Sequence, residues 1–335
     1  MMSSKHLPST QFEPPFGLSN RHIQTIFSSV GPRKVSIGRR FKQYAQFAEK
    51  TVLDAGDGIR LEGYFNQATK RQSSQMAILI HGWEGSHTSS YMQSMTMTLL
   101  ESGVDVFRLN LRDHGETQGL NEGIFNSTLI EEVINAVEQL QTLRVYKRYH
   151  LVGFSLGGNF CLRLAAMAHH HDITLASVSA FCPAIHASQS NDVLNKKENW
   201  LYGRYFVRKW KKSLRKKLQH WPQYDYGPKM EMLKTLDELN HEFIPKYTHF
   251  TNVEDYFDAY AISGSCLDNT IAPCYLHFAE DDMVIPIEGV DMISKNSNID
   301  ITITKHGGHC GYISSWKGES SQDQRVLEII HELSV

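Results

Sequence analysis

At residues 149–158 the sequence is YHLVGFSLGG, and a helical pattern follows over residues 159–168. The apolar run before the first glycine predicts a buried strand, so Ser155 lies at a turn between a strand and a helix. So sharp a turn strains the serine backbone and leaves little room for side chains two residues away, where Gly153 and Gly157 stand. This arrangement is that of a nucleophile elbow. Because G-x-S-x-G also arises by chance, a plain connecting turn is the alternative.

A candidate acid follows a predicted strand near the C-terminus. The apolar run at residues 271–279 ends in three consecutive acids, and Pro286 then starts the next predicted helix. A catalytic serine needs a base and an orienting acid, in the chain order Ser, Asp or Glu, His for this topology. We select Asp282 because it precedes Pro286 by four residues, the usual spacing, and Asp281 is the alternative. A solvated acidic turn that caps the helix would explain the cluster without any chemistry.

The candidate base is His309, one of 17 histidines in the chain. It follows the predicted strand at 299–304 and two glycines, which allow a loop to bring the imidazole close to another backbone. We expect its Nδ1 to face the acid and its Nε2 to face the serine. His306 is the nearest rival, but it precedes the glycines and is predicted to belong to the strand. Serine, acid and histidine in the required order predict a catalytic triad of Ser155, Asp282 and His309.

Acyl transfer also requires an oxyanion hole, in which two donors face the oxygen that becomes charged. The elbow supplies one, the backbone N–H of Leu156 at the start of its helix. The loop after the predicted strand at 76–80 is flanked by glycines and can curl over the elbow. We assign the second donor to the backbone N–H of Trp83, with Glu84 as the weaker alternative. His81 is predicted to brace this loop rather than to titrate.

The composition is that of an ordinary globular chain. With 335 residues, 41% of them hydrophobic, it can bury a sizeable core, and a net charge of −2 gives no overall attraction to nucleic acid. Five cysteines without a C-x-x-C pair indicate reduced thiols and a cytoplasmic protein. The start of the sequence lacks the apolar segment of a signal peptide, and no run of about 18 apolar residues predicts a membrane span. We expect no cofactor and no metal, and interpret His169–His171 as an exposed helix end.

The chain divides into three predicted parts. Residues 1–50 show no clear periodicity and are expected to form a strap packed on the core. Residues 51–182 and 272–335 form the predicted core, in which strands alternate with helical patterns after a hairpin at 52–65. This alternation predicts a mainly parallel, eight-stranded sheet with helices on both faces. The further strands are predicted at 76–80, 104–109, 149–154, 173–181, 272–279 and 299–304. Residues 183–271 interrupt the alternation and are predicted to form a helical cap inserted after the sixth strand.

The predicted cap contains a basic, aromatic helix at about residues 200–221. From Lys196 to Lys217 there are ten basic residues and one acid, Glu198. Apolar residues at 206, 210, 214 and 218 recur every four positions, so that one face can pack while another carries charge. A peripheral contact of this basic face with anionic membrane is one expectation. A cap helix whose lysines simply face water is the alternative.

Several motifs together resemble the α/β-hydrolase superfamily. They are His-Gly-x-x-Gly-Ser at 81–86, Arg-Asp-His-Gly at 112–115, Gly-Phe-Ser-Leu-Gly-Gly at 153–158, Asp282, and Gly-Gly-His at 307–309. In the second motif Asp113 occupies the position of the first glycine in the more common Arg-Gly-His-Gly. The resemblance implies esterase or lipase activity on acyl esters.

A narrower resemblance lies near the N-terminus. Residues 15–26, PFGLSNRHIQTI, are similar to the Asn-Pro-His-Leu-Gln-Thr block of the YheT-like branch, which includes EMB8-type and some ABHD proteins. Arg21 replaces the usual proline. Two interpretations of the block remain open: it lines the acyl pocket, or Asn20, His22 and Gln24 fix the strap through backbone hydrogen bonds.

The sequence therefore predicts a serine carboxylic-ester hydrolase acting on a small acyl ester of short or medium chain length. A lipase or phospholipase at a membrane surface, and a thioesterase or acyltransferase, would use the same triad. A non-enzymatic binding protein is the alternative from another class, but it has no need to keep all three groups.

Overall fold

The computed structural model describes residues 12–68 and 73–334, and within them one sheet forms the centre of an α/β fold. Its strands are β1 (Glu49–Asp54), β2 (Arg60–Asn66), β3 (Gln75–Ile80), β4 (Asp105–Leu109), β5 (Arg148–Phe154), β6 (Ser177–Phe181), β7 (Cys274–Ala279) and β8 (Ile299–Thr304). Across the sheet their order is β1-β2-β4-β3-β5-β6-β7-β8. β2 is antiparallel to β1 and β4, and every other pair is parallel. The predicted sheet with its antiparallel edge is confirmed, although the strand expected from residue 173 begins only at Ser177.

Helices cover both faces of this sheet. They are α1 (Arg21–Ser29), α2 (Pro32–Ala45), α3 (Ser90–Glu101), α4 (Ile130–Leu143), α5 (Leu156–Met167), α6 (Ala187–Asn195), α7 (Trp200–His220), α8 (Gly227–Met232), α9 (Leu236–Tyr247), α10 (Val253–Ala259) and α11 (Ser321–Glu332). α4 and α5 pack in one apolar cluster, and α3 and α11 in the other. The central strand β3 is fully buried from Met76 to Ile80, as a parallel sheet covered on both sides requires. No helix in the described ranges is both long and apolar enough to cross a bilayer.

The N-terminal segment is more regular than its sequence indicates. Residues 1–11 of the predicted strap lie outside the described residues, but α1 and α2 follow. The Asn20 side chain caps α1 by accepting the N–H groups of His22 and Ile23, and Pro32 starts α2. The expectation of a segment without periodic structure is wrong, because α1 buries Gln24 and Ser28, polar residues that an apolar periodicity does not count.

The residues between β6 and β7 contain α6 to α10 and a short 3-10 helix. Among them α7 occupies almost the whole range predicted for the basic helix, and its residues Trp210 and Leu214 are buried. The helix expected to begin at Pro286 is a 3-10 helix, Ile287–Met292. The division of the chain into strap, core and cap at the stated boundaries stays a prediction.

Much of the basic surface expected on α7 is paired within the protein. Its internal partners are Glu84 O for Lys209, Glu231 O for Lys211, the Glu231 carboxylate for Arg215, Glu116 for Lys216 and Asp113 for Lys217. Lys211 and Lys217 are themselves buried. The second half of α7 therefore offers far less free positive charge than its sequence indicates.

The ion pair between Asp113 and Lys217 explains the unusual aspartate of the Arg-Asp-His-Gly motif. Asp113 has a φ of 59°, a backbone conformation that favours the glycine common at this position. Its carboxylate lies 2.8 Å from the Lys217 Nζ and also accepts the N–H of Phe125. Lys217 Nζ completes its hydrogen bonding with the carbonyls of Asn121 and Gly123. The aspartate thus fastens α7 to the core at the cost of a strained backbone.

We expect Lys217→Met to reduce the free energy of unfolding by about 3–5 kcal/mol, because it leaves the Asp113 carboxylate buried without its partner. The double variant Asp113→Gly/Lys217→Met removes both charges and the backbone strain, and should regain most of this loss. Denaturant unfolding of the single and double variants measures the difference. A double variant no more stable than Lys217→Met would contradict the pairing.

Candidate active site

Ser155 lies at the sharp turn between β5 and α5. Its φ of 53° and ψ of −120° place it outside the usual regions for an L-residue. A Cβ on Gly153 would lie 2.4 Å from the carbonyl oxygen of Gly157, and one on Gly157 would lie 2.2 Å from that of Ile80. Both glycines are therefore required by close backbone approach. The turn holds the serine hydroxyl at the N-terminal end of α5, at the carboxyl edge of the sheet.

His309 lies between Ser155 and Asp282. Its Nε2 is 2.9 Å from Ser155 Oγ, and its Nδ1 is 2.9 Å from Asp282 Oδ2 and 3.2 Å from Oδ1. Asp282 Oδ1 also accepts the N–H groups of Val284 and Ile285, which fix the carboxylate. With Nδ1–H donating to Asp282, Nε2 carries the lone pair that can accept the serine proton. The structure thus brings together the three side chains that the sequence predicts as a triad.

The two rival residues support the same loop instead. Asp281 Oδ1 accepts the N–H of Gly308 at 2.8 Å, and its other oxygen lies 3.7 Å from His306 Nδ1. Asp281 makes no hydrogen bond to His309 among the described residues. His306 lies beyond the end of β8 at Thr304, so its predicted place on the strand is wrong. Both residues help to hold the glycine loop that presents His309.

The charge of Asp282 sets the proton affinity of His309. Burial lowers the pKa of this imidazole, but the charge and hydrogen bond of Asp282, together with the adjacent Cys310 sulfur, raise it, and the net result is a pKa of about 9. This stabilises the imidazolium form, which the general base adopts while it holds the serine proton.

The two backbone N–H groups predicted as oxyanion donors, those of Leu156 and Trp83, are free of hydrogen bonds among the described residues. Leu156 is the first residue of α5, so its N–H has no partner within the helix. The N–H of Glu84, the alternative second donor, is already bonded to His114 Nε2 at 3.1 Å. Trp83 N–H makes no hydrogen bond among the described residues, which favours Trp83 as the second donor.

Two buried histidines brace the loop that carries Trp83. His81 Nδ1 donates to the Gly82 carbonyl, and its Nε2 accepts the N–H of Leu111. Burial lowers the pKa of His81 well below its usual value, and the pKa of His114 to about 4. Both are therefore neutral at physiological pH, and their nitrogens serve as fixed donors and acceptors rather than as titrating groups.

A cavity of about 420 Å³ opens above Ser155. Trp83 stacks on Phe206 of α7 at 5.4 Å between ring centroids and meets Trp210 edge-on. Apolar groups from both sides line the space, namely Phe125, Leu156, Ala184, Ala187, Leu194, Tyr205, Phe206, Trp210, Leu236, Ile244, Tyr256, Phe257, Tyr260, Val284 and Ile285. Glu84 and Lys209 add charged groups, and burial raises the pKa of Glu84 to about 7 against the opposing effect of Lys209. The cavity suits an apolar ligand with one polar end.

The N-terminal block supports this site through hydrogen bonds, whereas the cavity lining comes from residues after the block. Gln24 bonds the backbone of Leu18 and, through both of its side-chain atoms, that of Ile313 just beyond the His309 loop. Val30 and Lys34, slightly further along, line the cavity. His22 does not bond backbone through its ring; instead its Nδ1 lies 3.0 Å from the Tyr202 hydroxyl of α7.

Sequence reasoning missed Thr25. Its Oγ1 accepts the backbone N–H of His309 at 2.9 Å, and a Cβ on Gly308 would lie 2.6 Å from the same oxygen. α1 is therefore packed directly on the loop that carries the candidate base. The available signal was the position of Thr25 inside the block that resembles the YheT-like branch.

We expect Thr25→Val to lower kcat about tenfold with little change in KM, because the His309 loop loses the acceptor that fixes its position. The unfolding free energy should fall by about 1–2 kcal/mol, since a partly buried N–H is left without a partner. Thr25→Ser keeps the hydroxyl and should restore both. Steady-state kinetics and denaturant unfolding of the two variants check this. If Thr25→Ser and Thr25→Val lost equal activity and equal stability, Thr25 would act through packing alone.

Two thiols lie beside the candidate base. Cys182, His309 and Cys310 offer potential metal-ligand atoms within 4.8 Å of one another. Both His309 nitrogens already make triad hydrogen bonds, so a metal ion held here would have to displace the triad. We assign no metal to this cluster.

The model of the α/β hydrolase fold family matches residues 78–315. The chain belongs to this family, and the sheet order, the elbow and the position of the triad side chains agree with the match.

Individual relatives narrow the resemblance. The chain is 23% identical to an abhydrolase domain-containing protein of Dictyostelium discoideum, covering 95% of this chain and 80% of the relative. It is 26% identical to the putative esterase YheT of Escherichia coli K12, covering 91% and 88%. Among solved structures, esterase Pf2001 of Pyrococcus furiosus superposes with a TM-score of 0.55 at 18% identity, covering 85% and 90%, which shows the shared fold. The curated relatives confirm the resemblance to the YheT-like branch, and the solved structure agrees with the fold.

Proposed function

We propose that the chain is a serine carboxylic-ester hydrolase that acts through an acyl-enzyme. The observation that carries the proposal is the continuous hydrogen-bonded chain from Ser155 through His309 to Asp282 at the floor of an apolar cavity. The esterase names of several relatives agree with it.

In the proposed mechanism, Ser155 Oγ attacks the ester carbonyl while His309 Nε2 takes its proton. The carbonyl oxygen becomes negatively charged and accepts the N–H groups of Trp83 and Leu156. His309 then gives the proton to the leaving alcohol, which departs as the acyl-enzyme forms. Water, activated by the same imidazole, attacks the acyl-enzyme and releases the carboxylic acid and free Ser155. Asp282 holds the tautomer and stabilises the imidazolium throughout.

The cavity supports a substrate with a short or medium acyl chain. Its aromatic lining from α7 and the Trp83 loop provides apolar surface, and its volume of about 420 Å³ is within the range of small-molecule sites. A thioesterase or acyltransferase would use the same groups and differ in the leaving group or acceptor.

A fluorophosphonate probe tests the serine chemistry directly. We expect covalent labelling of the wild-type chain at Ser155, located by peptide mass spectrometry, and none in Ser155→Ala. p-Nitrophenyl esters with acyl chains from two to sixteen carbons, compared with the corresponding thioesters, then define chain length and leaving group. An unlabelled wild-type chain that turns over neither series would favour the non-enzymatic alternative.

A further inference from the structure

Helix α1 has its apolar face turned outwards. Its buried residues are the polar Gln24 and Ser28, whereas Ile26 and Phe27 are 41% and 39% exposed, and Val30 just after the helix is 37% exposed. A helix on a soluble surface normally shows the opposite arrangement. The hydrogen bonds of Gln24 explain the polar inner face, whereas the described residues leave more than a third of Ile26, Phe27 and Val30 exposed.

The first turns of α7 continue this apolar surface. Trp200, Leu201 and Tyr205 are 55%, 59% and 43% exposed. The hydrogen bond between His22 and Tyr202 joins this end of α7 to α1. We call the six residues Ile26, Phe27, Val30, Trp200, Leu201 and Tyr205 the mouth patch, because Val30 and Tyr205 also line the cavity above Ser155.

Cationic residues occur on α1, α2 and the first half of α7, the segments that contain or adjoin the mouth patch. Between Glu13 and Glu49 the sequence contains no acidic residue, and this interval includes both α1 and α2. Arg21, Lys34, Arg204 and Arg208 are exposed, and their side chains make no ion pair among the described residues. They differ in this respect from Arg215, Lys216 and Lys217 at the other end of α7, which are paired with acids.

We propose that the mouth patch docks on an anionic lipid surface, from which the acyl-ester substrate enters the cavity. Proteins bind such a surface when apolar side chains penetrate the lipid interface and nearby cations contact the anionic headgroups. Arginine and lysine side chains at the rim retain their charge in the headgroup layer while their stems follow the apolar surface. The substrate part of the inference rests on the proposed ester hydrolase; the docking part does not.

Vesicle co-sedimentation of the full chain tests the docking. Ser155→Ala provides a form that binds without turnover, and vesicles of phosphatidylcholine alone are compared with vesicles containing phosphatidylglycerol. We expect binding that requires phosphatidylglycerol and weakens with added salt. Arg204→Gln/Arg208→Gln should weaken it by about fivefold per charge, and Phe27→Ser/Trp200→Ser/Leu201→Ser by at least about tenfold.

Matched control residues lie just before β5, at the end of the sheet where the parallel strands begin and away from the carboxyl edge that carries Ser155. Leu143 and Val145 are 59% and 85% exposed, and Lys147 is exposed as well. Leu143→Ser/Val145→Ser and Lys147→Gln should leave binding unchanged. In chains that keep Ser155, the mouth-patch variants and the control variants should all hydrolyse water-soluble p-nitrophenyl acetate as fast as the wild-type chain, which shows that they are folded and active.

Three results would overturn the inference: equal binding to neutral and anionic vesicles, equal losses in the control variants, or self-association that the mouth-patch variant abolishes while vesicle binding is absent. If the wild-type chain did not hydrolyse p-nitrophenyl acetate, that result would contradict the proposed function and not the docking. Because Ser155→Ala measures docking without chemistry, the two failures are separable.

Discussion

Ser155→Ala is expected to lower ester hydrolysis by a factor of about 10⁵ or more, because in the described part of the chain no other hydroxyl forms a hydrogen bond with His309 Nε2. The proton-transfer partner and the nucleophile are lost together. Turnover of p-nitrophenyl acetate, with active-site titration of the wild-type chain, measures the effect. Thermal unfolding should be close to that of the wild-type chain, because the elbow backbone is held by its glycines rather than by the serine hydroxyl.

The triad should also behave as one unit. His309→Ala alone should cost nearly as much as Ser155→Ala, and the double variant should cost no more than either single one. Ser36→Ala, at an exposed serine of α2, serves as the matched control and should leave kcat/KM unchanged. Additive losses would show that the two residues act in separate steps.

The elbow and the order of the candidate triad could be predicted from sequence because both depend on local constraints. A strand, a glycine-flanked serine and a helix follow one another within about twenty residues, and each glycine answers to a specific close approach of backbone. The parallel strands are apolar runs, which the alternation with helices makes recognisable.

The N-terminal helices and the anchoring of α7 could not be predicted in this way. α1 packs through Gln24 and Thr25, whose partners Ile313 and His309 lie nearly 300 residues further along the chain. Likewise Lys217 finds Asp113 across 104 positions. Hydrophobic periodicity carries no information on such polar, long-range contacts, so charges that are internal in the folded chain were counted as surface charges.

The choice between Asp281 and Asp282 also depended on contacts rather than on pattern. Adjacent residues at the end of a strand point in different directions, so spacing to Pro286 could rank them without excluding either. In the structure the Asp282 carboxylate fixes the His309 imidazole, and the Asp281 carboxylate fixes the loop at Gly308.

We expect kcat/KM of the wild-type chain to rise with pH, with a midpoint near pH 9. The neutral imidazole of His309 is the base, and against the effect of burial Asp282 and Cys310 raise its pKa to about 9, so the reactive form is scarce at neutral pH. From pH 7 to pH 9 the neutral fraction, and with it kcat/KM, should increase about 50-fold. The pH dependence of p-nitrophenyl ester hydrolysis, corrected for spontaneous hydrolysis, measures this. A profile that is flat over the range would contradict His309 as the base.

Asp282→Asn should reduce kcat by about 10⁴-fold and move this midpoint to the acid side. In the native chain Oδ1 accepts the N–H groups of Val284 and Ile285, so the oxygen of the substituted amide keeps that place. Its NH₂ group then faces His309 Nδ1, which must accept instead of donate, and Nε2 carries the hydrogen and can no longer take the proton of Ser155. With the carboxylate charge gone, burial, the largest influence on the His309 pKa, is opposed only by Cys310, so the pKa falls, which distinguishes this loss from simple unfolding.

Asp281→Asn is the matched control for this effect. Its side chain holds Gly308 through Oδ1 and makes no hydrogen bond to His309 among the described residues, so the variant should keep the alkaline midpoint and most of the activity. The two variants have the same change of charge and adjacent positions, so only their contacts differ. A severe loss with a shifted midpoint in Asp281→Asn, and a mild one in Asp282→Asn, would assign the orienting acid to Asp281.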